Sequence, residues 1–120
     1  MSIISDFTVH TLNQDNLNIL DDIFKLYQLT FNSELKISEK EVTDMIQDNT
    51  YTAHYVLNKT TGILCGYCFH MYIKSINAIQ LDYIGIDPQY QGQGLGKLMF
   101  NHIYDTYCNT LDNPKILTLE

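Results

Sequence analysis

DPQYQGQGLGKL, residues 87–98, is the stretch that decides the fold of this 120-residue chain. Three of the six glycines in the sequence, Gly92, Gly94 and Gly96, fall here at alternate positions. The run LDYIGI, which has the character of a strand, precedes them, and the run LMFNHI, which has helical spacing, follows. A glycine loop between a strand and a helix start forms an anion site, because the first helical amides have no intrahelical acceptor and glycine leaves the backbone uncovered.

Two familiar phosphate-binding patterns do not match this loop. A nucleoside-triphosphate loop has the form Gly-x4-Gly-Lys-Ser/Thr. The dipeptide GK supplies its centre, but Gln91 replaces the first glycine and Leu98 replaces the hydroxyl that would hold magnesium. The dinucleotide fingerprint G-x-G-x-x-G fails in both registers, because its last glycine would be Lys97 or Met99. A site for another phosphate ligand stays open as an alternative at this point.

A third pattern fits the loop. The segment QGQGLG, residues 91–96, matches Gln/Arg-x-x-Gly-x-Gly/Ala, and with its flanks, IGIDPQYQGQGLG, it resembles the acetyl-CoA pyrophosphate loop of the GNAT-type N-acetyltransferases. The hairpin strand with ILCGY and the terminal KILTLE are also similar to this family, so the resemblance covers essentially the whole chain. It implies that an acetyl group passes from acetyl-CoA to an amine, on a small molecule or a peptide, by direct attack without an acyl-enzyme.

Hydrophobic periodicity and turn residues predict the element order β-α-α-β-β-β-α-β, an α/β fold of the α+β type around one mixed sheet. The predicted strands are residues 7–12, 51–57, 63–73, 78–86 and 115–119, and the predicted helices are residues 15–31, a short one after the capping box at 38–41, and 95 to about 108. We expect one GNAT-like domain, residues 1–120, truncated after the fifth strand and without the last helix and strands usual in the family.

The resemblance also implies which residues hold the cofactor. The backbone amides that would bind the pyrophosphate belong to Gln91, Gly92, Gln93, Gly94, Leu95, Gly96 and Lys97. Ile84, Gly85 and Ile86 would line the pantetheine arm, which in the family lies in a splay between this strand and the next. A glycine inside a strand also fits a bulge or tight packing, so these alternatives stay open for Gly85.

Amine acetylation needs a donor for the developing oxyanion and a base for the amine, and the strand before the loop offers candidates for both. A strand amide near Ile86 would be the oxyanion donor. Alternation predicts that one face of this strand carries Gln80, Asp82, Ile84 and Ile86, with Tyr83 on the other face as core. Asp82 matches the position of a glutamate in many relatives, so it is the candidate base, acting through water. The alternative is a solvated or lysine-paired carboxylate.

The resemblance leaves one part of the chemistry open. In the family a tyrosine on a helix after the fifth strand commonly protonates the leaving thiolate, and this sequence ends at Glu120. An alternative function is therefore a catalytically incomplete acyl-CoA-binding or protein-interaction module with the same fold. The fifth strand would also have an open edge, so homodimerisation through this C-terminal edge is a further hypothesis. The acceptor in the family often contacts the loop between the first two helices, here residues 30–36.

Composition narrows the partners and the location. Seven Lys plus Arg against fourteen Asp plus Glu give a net charge of −7, which argues against nucleic-acid binding. No apolar run reaches the ~18 residues of a membrane span, and residues 1–10 do not have the pattern of a signal peptide. We therefore expect a cytoplasmic protein that does not bind membranes.

The cysteines and histidines of the sequence predict no metal site. Three cysteines without a signal peptide predict free thiols. Cys65 and Cys68 should point to opposite faces of one strand, where they cannot share a metal ion. His54, His70 and His102 are interpreted as structural histidines with satisfied hydrogen bonds, and a place in an acceptor pocket is the alternative for His70.

Overall fold

The structure is a computed structural model that describes residues 6–30, 38–109 and 111–118. Its elements follow the order β-α-α-β-β-β-α-β, which confirms the prediction. The strands are β1 (Phe7–Thr11), β2 (Thr52–Asn58), β3 (Leu64–Ile73), β4 (Ala78–Ile86) and β5 (Lys115–Thr118). The helices are α1 (Leu20–Thr30), α2 (Glu39–Gln47) and α3 (Leu95–Cys108). Of the loop expected to contact an acceptor, residues 31–36 lie outside the described residues, as does the predicted strand end at residue 119.

All five strands form one mixed sheet in the order β1-β2-β3-β4-β5. The strands β1 to β4 pair antiparallel, and β5 runs parallel to β4. Two parallel neighbours need a crossover, and α3 supplies it. The turn of the β2–β3 hairpin contains Gly62 at φ 72°, a left-handed conformation that favours glycine.

Each face of the sheet has its own hydrophobic core. Side chains of α1 and α2 pack on one face, where Ile23, Tyr27, Val42, Tyr67 and Phe69 have 0% exposure. Side chains of α3 pack on the other face, where Val56, Cys65, Cys68, Ile79 and Met99 have 0% exposure. The sheet is therefore covered on both sides, and any ligand must approach it from an edge or from the ends of its strands.

The first predicted helix begins later than the periodicity suggested. Residues Gln14–Ile19 form a 3₁₀ segment with a kink at Asn16, and the α-helix starts only after it. The Asn16 amide donates to the Thr11 carbonyl oxygen at 3.2 Å and to the Tyr55 hydroxyl at 2.8 Å. Asparagine side chains that bond in this way compete with helical backbone bonds, which explains the delayed start.

A bulge in β4 overturns the predicted face of Asp82. Phe69 pairs with Tyr83 and His70 with Leu81, so Asp82 is an extra residue in the ladder. Before the bulge Leu81 packs on the α3 face, and after it Tyr83 packs on the α1–α2 face, as Asp82 does. The prediction that Asp82 shares a face with the isoleucines that follow it is therefore wrong, because the bulge interrupts strict alternation.

A second bulge changes the placement of the cysteines. Val56 pairs with Gly66 and Leu57 with Leu64, which leaves Cys65 as the extra residue of β3. Cys65 and Cys68 consequently both pack in the core under α3, so the prediction that they point to opposite faces is wrong. The thiols of Cys65 and Cys68 are buried, that of Cys108 is exposed, and all three are free.

Candidate functional site

The glycine loop is a tight connection whose ends are anchored. Gly92 has φ 79° and Gly94 has φ 81°, both in the left-handed region where residues with a side chain are strained. Upstream, the Asp87 carboxylate accepts a hydrogen bond from the Gln89 amide at 2.9 Å. The Tyr90 ring packs edge-on against the ring of a β1 residue, with centroids 6.0 Å apart. The loop conformation therefore depends on glycine at two positions.

The start of α3 offers unused backbone donors. The first helical bond runs from the Leu98 amide to the Gly94 carbonyl oxygen at 3.0 Å, so the three preceding helical amides have no acceptor within the helix. A Cβ added to Gly96 would meet no atom of the described chain within 4 Å, and the same holds for Gly92. Lys97 is exposed and Leu95 is buried beneath the turn. An anion can reach these amides without displacing any described side chain.

One edge of β4 is unpaired next to the loop. The parallel ladder with β5 runs from Ala78–Lys115 to Leu81–Thr118, and within residues 111–118 it goes no further. The segment of β4 from residue 82 to residue 86 therefore lacks a neighbour on that side in the described chain. Ile84 in this segment is 42% exposed. The pantetheine-lining role predicted for Ile84 and its two neighbours in β4 stays a prediction.

The bare backbone of Gly85 is explained by a neighbour within the protein. An added Cβ would lie 2.6 Å from the Thr30 hydroxyl oxygen and 2.6 Å from a ring carbon of Tyr67. Tyr67 is fully buried and shares a hydrogen bond of 2.8 Å with Thr30. The sequence left a bulge and tight packing open as alternatives for Gly85, and these contacts support tight packing.

Asp82 has hydrogen-bond donors on both of its carboxylate oxygens. The Gln80 amide donates to Oδ1 at 2.5 Å, and the Tyr51 hydroxyl donates to Oδ2. Asp82 is half-buried, so it is neither the freely solvated carboxylate nor, among the described residues, the lysine-paired one. Sequence reasoning missed Tyr51, because it lies 31 positions away and only the folded sheet brings the two residues together.

The family model for the GNAT acetyltransferases matches residues 20–119, which include the loop, β4 and α3. The chain belongs to the GNAT acetyltransferase family. A search of curated protein sequences gives no match. The match to the family model confirms the family predicted from the sequence.

Solved structures share the GNAT fold of this chain at low sequence identity. An aminoglycoside acetyltransferase from an uncultured soil metagenomic sample, in complex with sisomicin, superposes with a TM-score of 0.80 at 12% identity, over 99% of this chain and 80% of that one. A ribosomal-protein-alanine N-acetyltransferase from Brucella melitensis has a TM-score of 0.70 at 15% identity, with 93% and 79% covered. An aminoglycoside acetyltransferase bound to a CoA bisubstrate analogue has a TM-score of 0.74 at 11% identity, with 95% and 79% covered. These similarities establish the fold.

On the face of the sheet that carries α3, this GNAT domain contains a buried histidine pair. His54 and His70 have 0% exposure, and their ring nitrogens lie 2.7 Å apart in a hydrogen bond. Thr11 bonds the other side of His54 at 3.1 Å, and Tyr107 of α3 bonds the other side of His70 at 3.1 Å. The interpretation of both as satisfied structural histidines is confirmed, whereas His102 is exposed on α3, where its ring contacts that of His54.

Burial determines the protonation of this pair. Loss of hydration, with a smaller repulsion from His102, lowers the pKa of His54 to about 4. Loss of hydration, with a smaller repulsion from His54, lowers the pKa of His70 to about 3. Both rings are therefore neutral at pH 7, and each can donate one hydrogen bond and accept another.

The described residues of this GNAT domain contain neither a cluster of metal ligands nor a membrane-spanning helix. In the ranges 6–30, 38–109 and 111–118, no three side chains of His, Cys, Asp or Glu are grouped as metal ligands. No helix in these ranges is both long and apolar enough to cross a bilayer.

Proposed function

We propose that this chain is an N-acetyltransferase that transfers the acetyl group of acetyl-CoA directly to an amine. The observation that carries the proposal is the start of α3, where amides without an acceptor in the helix follow a glycine loop at the end of β4. Helix N-termini of this kind favour phosphate, because their amides and their dipole both present positive charge. Membership of the GNAT family supports the identity of the phosphate ligand.

In this proposal the amides of residues 91–97 hold the pyrophosphate, and Lys97 adds the one positive charge of the loop. The main chain at Ile84, Gly85 and Ile86 lies along the pantetheine arm, and an amide near Ile86 donates to the carbonyl oxygen as it gains charge. Acetyl-CoA supplies the activated acyl group. The amine, neutral after losing a proton to solvent, bonds through its nitrogen to the acyl carbon while the carbon–sulfur bond breaks. Asp82 takes the amine proton through water, and CoA leaves as a thiolate that takes its proton from water.

We propose a cationic amine, on a small molecule or a peptide, as the acceptor. The net charge of −7 favours a positively charged partner. Structural relatives are described as acting on aminoglycosides or on the alanine of a ribosomal protein, which are both amines. Asp82 lies on the face of the sheet that carries α1 and α2, and the loop expected to contact the acceptor joins these two helices.

We propose that the chain is one domain over residues 1–120 and that it is cytoplasmic. We also propose that it forms a homodimer through β5. The support for the dimer is that β5 is the last strand of the sheet in the described chain, and an exposed edge strand can pair with a second copy. One chain has a mass of 13.9 kDa, and light scattering at micromolar concentration should give twice this mass. A monomer mass at every concentration would reject the dimer and leave the other proposals intact.

Gly96→Glu should abolish the stabilisation of the protein by acetyl-CoA. In the wild type, acetyl-CoA at 100 times its Kd should add about 2.7 kcal/mol to the free energy of unfolding. The glutamate would place negative charge and bulk where we expect the pyrophosphate. The unliganded variant should fold normally, since nothing lies within 4 Å of the new Cβ and acidic residues suit the first turn of a helix. Thermal denaturation with and without acetyl-CoA measures both effects.

Asn101→Glu is the matched control, because it adds the same charge at an exposed position on the same helix. It should keep most of the ligand-induced rise in Tm. An equal rise in the Gly96→Glu variant would contradict the proposed phosphate site. Thiol release from acetyl-CoA with added amines then separates an enzyme from an acyl-CoA-binding module, which would bind without releasing thiol.

A further inference from the structure

The carboxylate of Asp82 accepts hydrogen bonds from two residues, one in its own strand and one in a distant segment of the chain. Gln80, two positions earlier in β4, donates to one oxygen at 2.5 Å, and Tyr51, just before β2, donates to the other. A bulged residue at the edge of a core would otherwise have several rotamers available. Two donors on opposite oxygens fix both the direction and the plane of the carboxylate. Each oxygen keeps a further lone pair that can accept a proton or a water.

Tyr51 is itself fixed before it meets Asp82. Its backbone amide donates to the Met45 carbonyl oxygen of α2 at 2.9 Å. Its ring stacks on Phe69, with centroids 6.2 Å apart and planes 23° apart, and it is 5% exposed. Burial, and then the hydrogen bond to Asp82, raise the pKa of the Tyr51 hydroxyl, so it stays protonated and acts as a donor. Tyr51 therefore brings a preorganised donor to the carboxylate.

We propose that Tyr51 is a positioning residue for acetyl transfer, and that with Gln80 it holds the Asp82 carboxylate oriented for the amine. This inference rests on the proposed function, because it takes Asp82 as the base. A donor to a carboxylate stabilises its charged form, which is the form that accepts a proton. A fixed orientation also avoids the loss of rate that comes from a base free to turn away.

The test compares Tyr51→Phe with the wild type in a thiol-release assay. The probes are acetyl-CoA with sisomicin, spermidine or a peptide with a free N-terminal alanine. Tyr51→Phe keeps the ring on Phe69 and removes only the hydroxyl. We expect kcat to fall about tenfold or more, because a hydrogen bond to a charged group is lost. The KM for acetyl-CoA should stay within about twofold, since the residue is remote from the predicted pyrophosphate loop.

A matched control separates positioning from stability. Tyr55→Phe also removes the hydroxyl of a buried tyrosine on the α1–α2 face of the sheet. This hydroxyl accepts a hydrogen bond from the Asn16 side-chain amide at 2.8 Å. It should leave kcat unchanged, even if it lowers Tm as much as Tyr51→Phe does. Gln80→Met, which removes the other donor, should also lower kcat while the KM for acetyl-CoA stays within about twofold. This second variant keeps the test decisive if Tyr51→Phe does not fold.

The outcomes distinguish this inference from the proposed function. A wild type that releases thiol and loses it in Asp82→Asn, with no change in either donor variant, would overturn the positioning role alone. Full activity of Asp82→Asn would also overturn it and leave the transferase function standing. A wild type that releases no thiol with any of the three amines would reject the proposed function for these acceptors, and the inference with it.

Discussion

Acidification from pH 7 to pH 5 is expected to lower the free energy of unfolding by about 3–4 kcal/mol through His54 and His70. In the unfolded chain both rings bind a proton below about pH 6.5. In the folded chain burial holds the pKa of His54 at about 4 and that of His70 at about 3, so both stay neutral at pH 5. The unfolded state therefore binds more protons, and stability falls as pH falls.

The magnitude follows from the pH interval. Each pH unit below 6.5 costs about 1.4 kcal/mol per histidine, so each ring loses about 2 kcal/mol by pH 5. This is a large fraction of the 5–15 kcal/mol that is typical of a domain. The structural reason is that a protonated ring has two donors and no acceptor, and the nitrogens of His54 and His70 face each other at 2.7 Å.

Urea denaturation at pH 7, 6, 5.5 and 5 measures this effect. Carboxylates contribute little in this window, because the usual carboxylate pKa lies near 4 and that of Asp48 is lower still, through its hydrogen bonds to Thr50. The control is the double variant His54→Gln, His70→Gln, which should be less stable at pH 7 but nearly independent of pH down to 5. A wild type with the same flat dependence would show that the pair is not buried in solution.

The parts of this fold that could be predicted from sequence depend on local signals. The bounds of β4, residues 78–86, and the helix start at Leu95 follow from an apolar run that ends at Asp87-Pro88 and from the glycines beyond it. Proline fixes its own φ, and glycine allows a positive φ, whatever surrounds them, so such boundaries can be predicted without the fold. The loop part of the candidate site is therefore accessible to sequence reasoning.

The catalytic part of the candidate site depends on strand pairing, which has no local signal. The bulges at Asp82 and Cys65 arise from the register between neighbouring strands, and each reverses the face predicted by alternation. The side-chain bonds of Asn16 delay a helix whose periodicity is correct. Tyr51 directly precedes β2, and Asp82 lies in β4. The two residues meet only because both strands pair with β3. Long-range contacts of this kind decided the faces and partners that sequence reasoning missed.

Gly85→Ala is expected to lower the free energy of unfolding by about 3 kcal/mol, the upper part of the range for overpacked cores. The added methyl group would lie 2.6 Å from the Thr30 hydroxyl oxygen and 2.6–2.8 Å from two ring carbons of Tyr67. Neither neighbour can turn aside easily. Tyr67 is fully buried and bonded to Thr30, and the Thr30 hydroxyl also donates to the Leu26 carbonyl oxygen at 2.8 Å.

Urea denaturation of Gly85→Ala and of Gly96→Ala separates crowding from a general effect of adding a methyl group. Gly96 is helical with nothing within 4 Å of its Cβ, so alanine there should raise stability by up to about 1 kcal/mol. In a Tyr67→Leu background the cost of Gly85→Ala should shrink, because the smaller side chain leaves room for the methyl group. An equal cost in both backgrounds would exclude contact with the tyrosine ring as the cause. Since relief of the clash must move β4, Gly85→Ala should also weaken acetyl-CoA binding if the main chain at Ile84 and Ile86 lines the pantetheine arm.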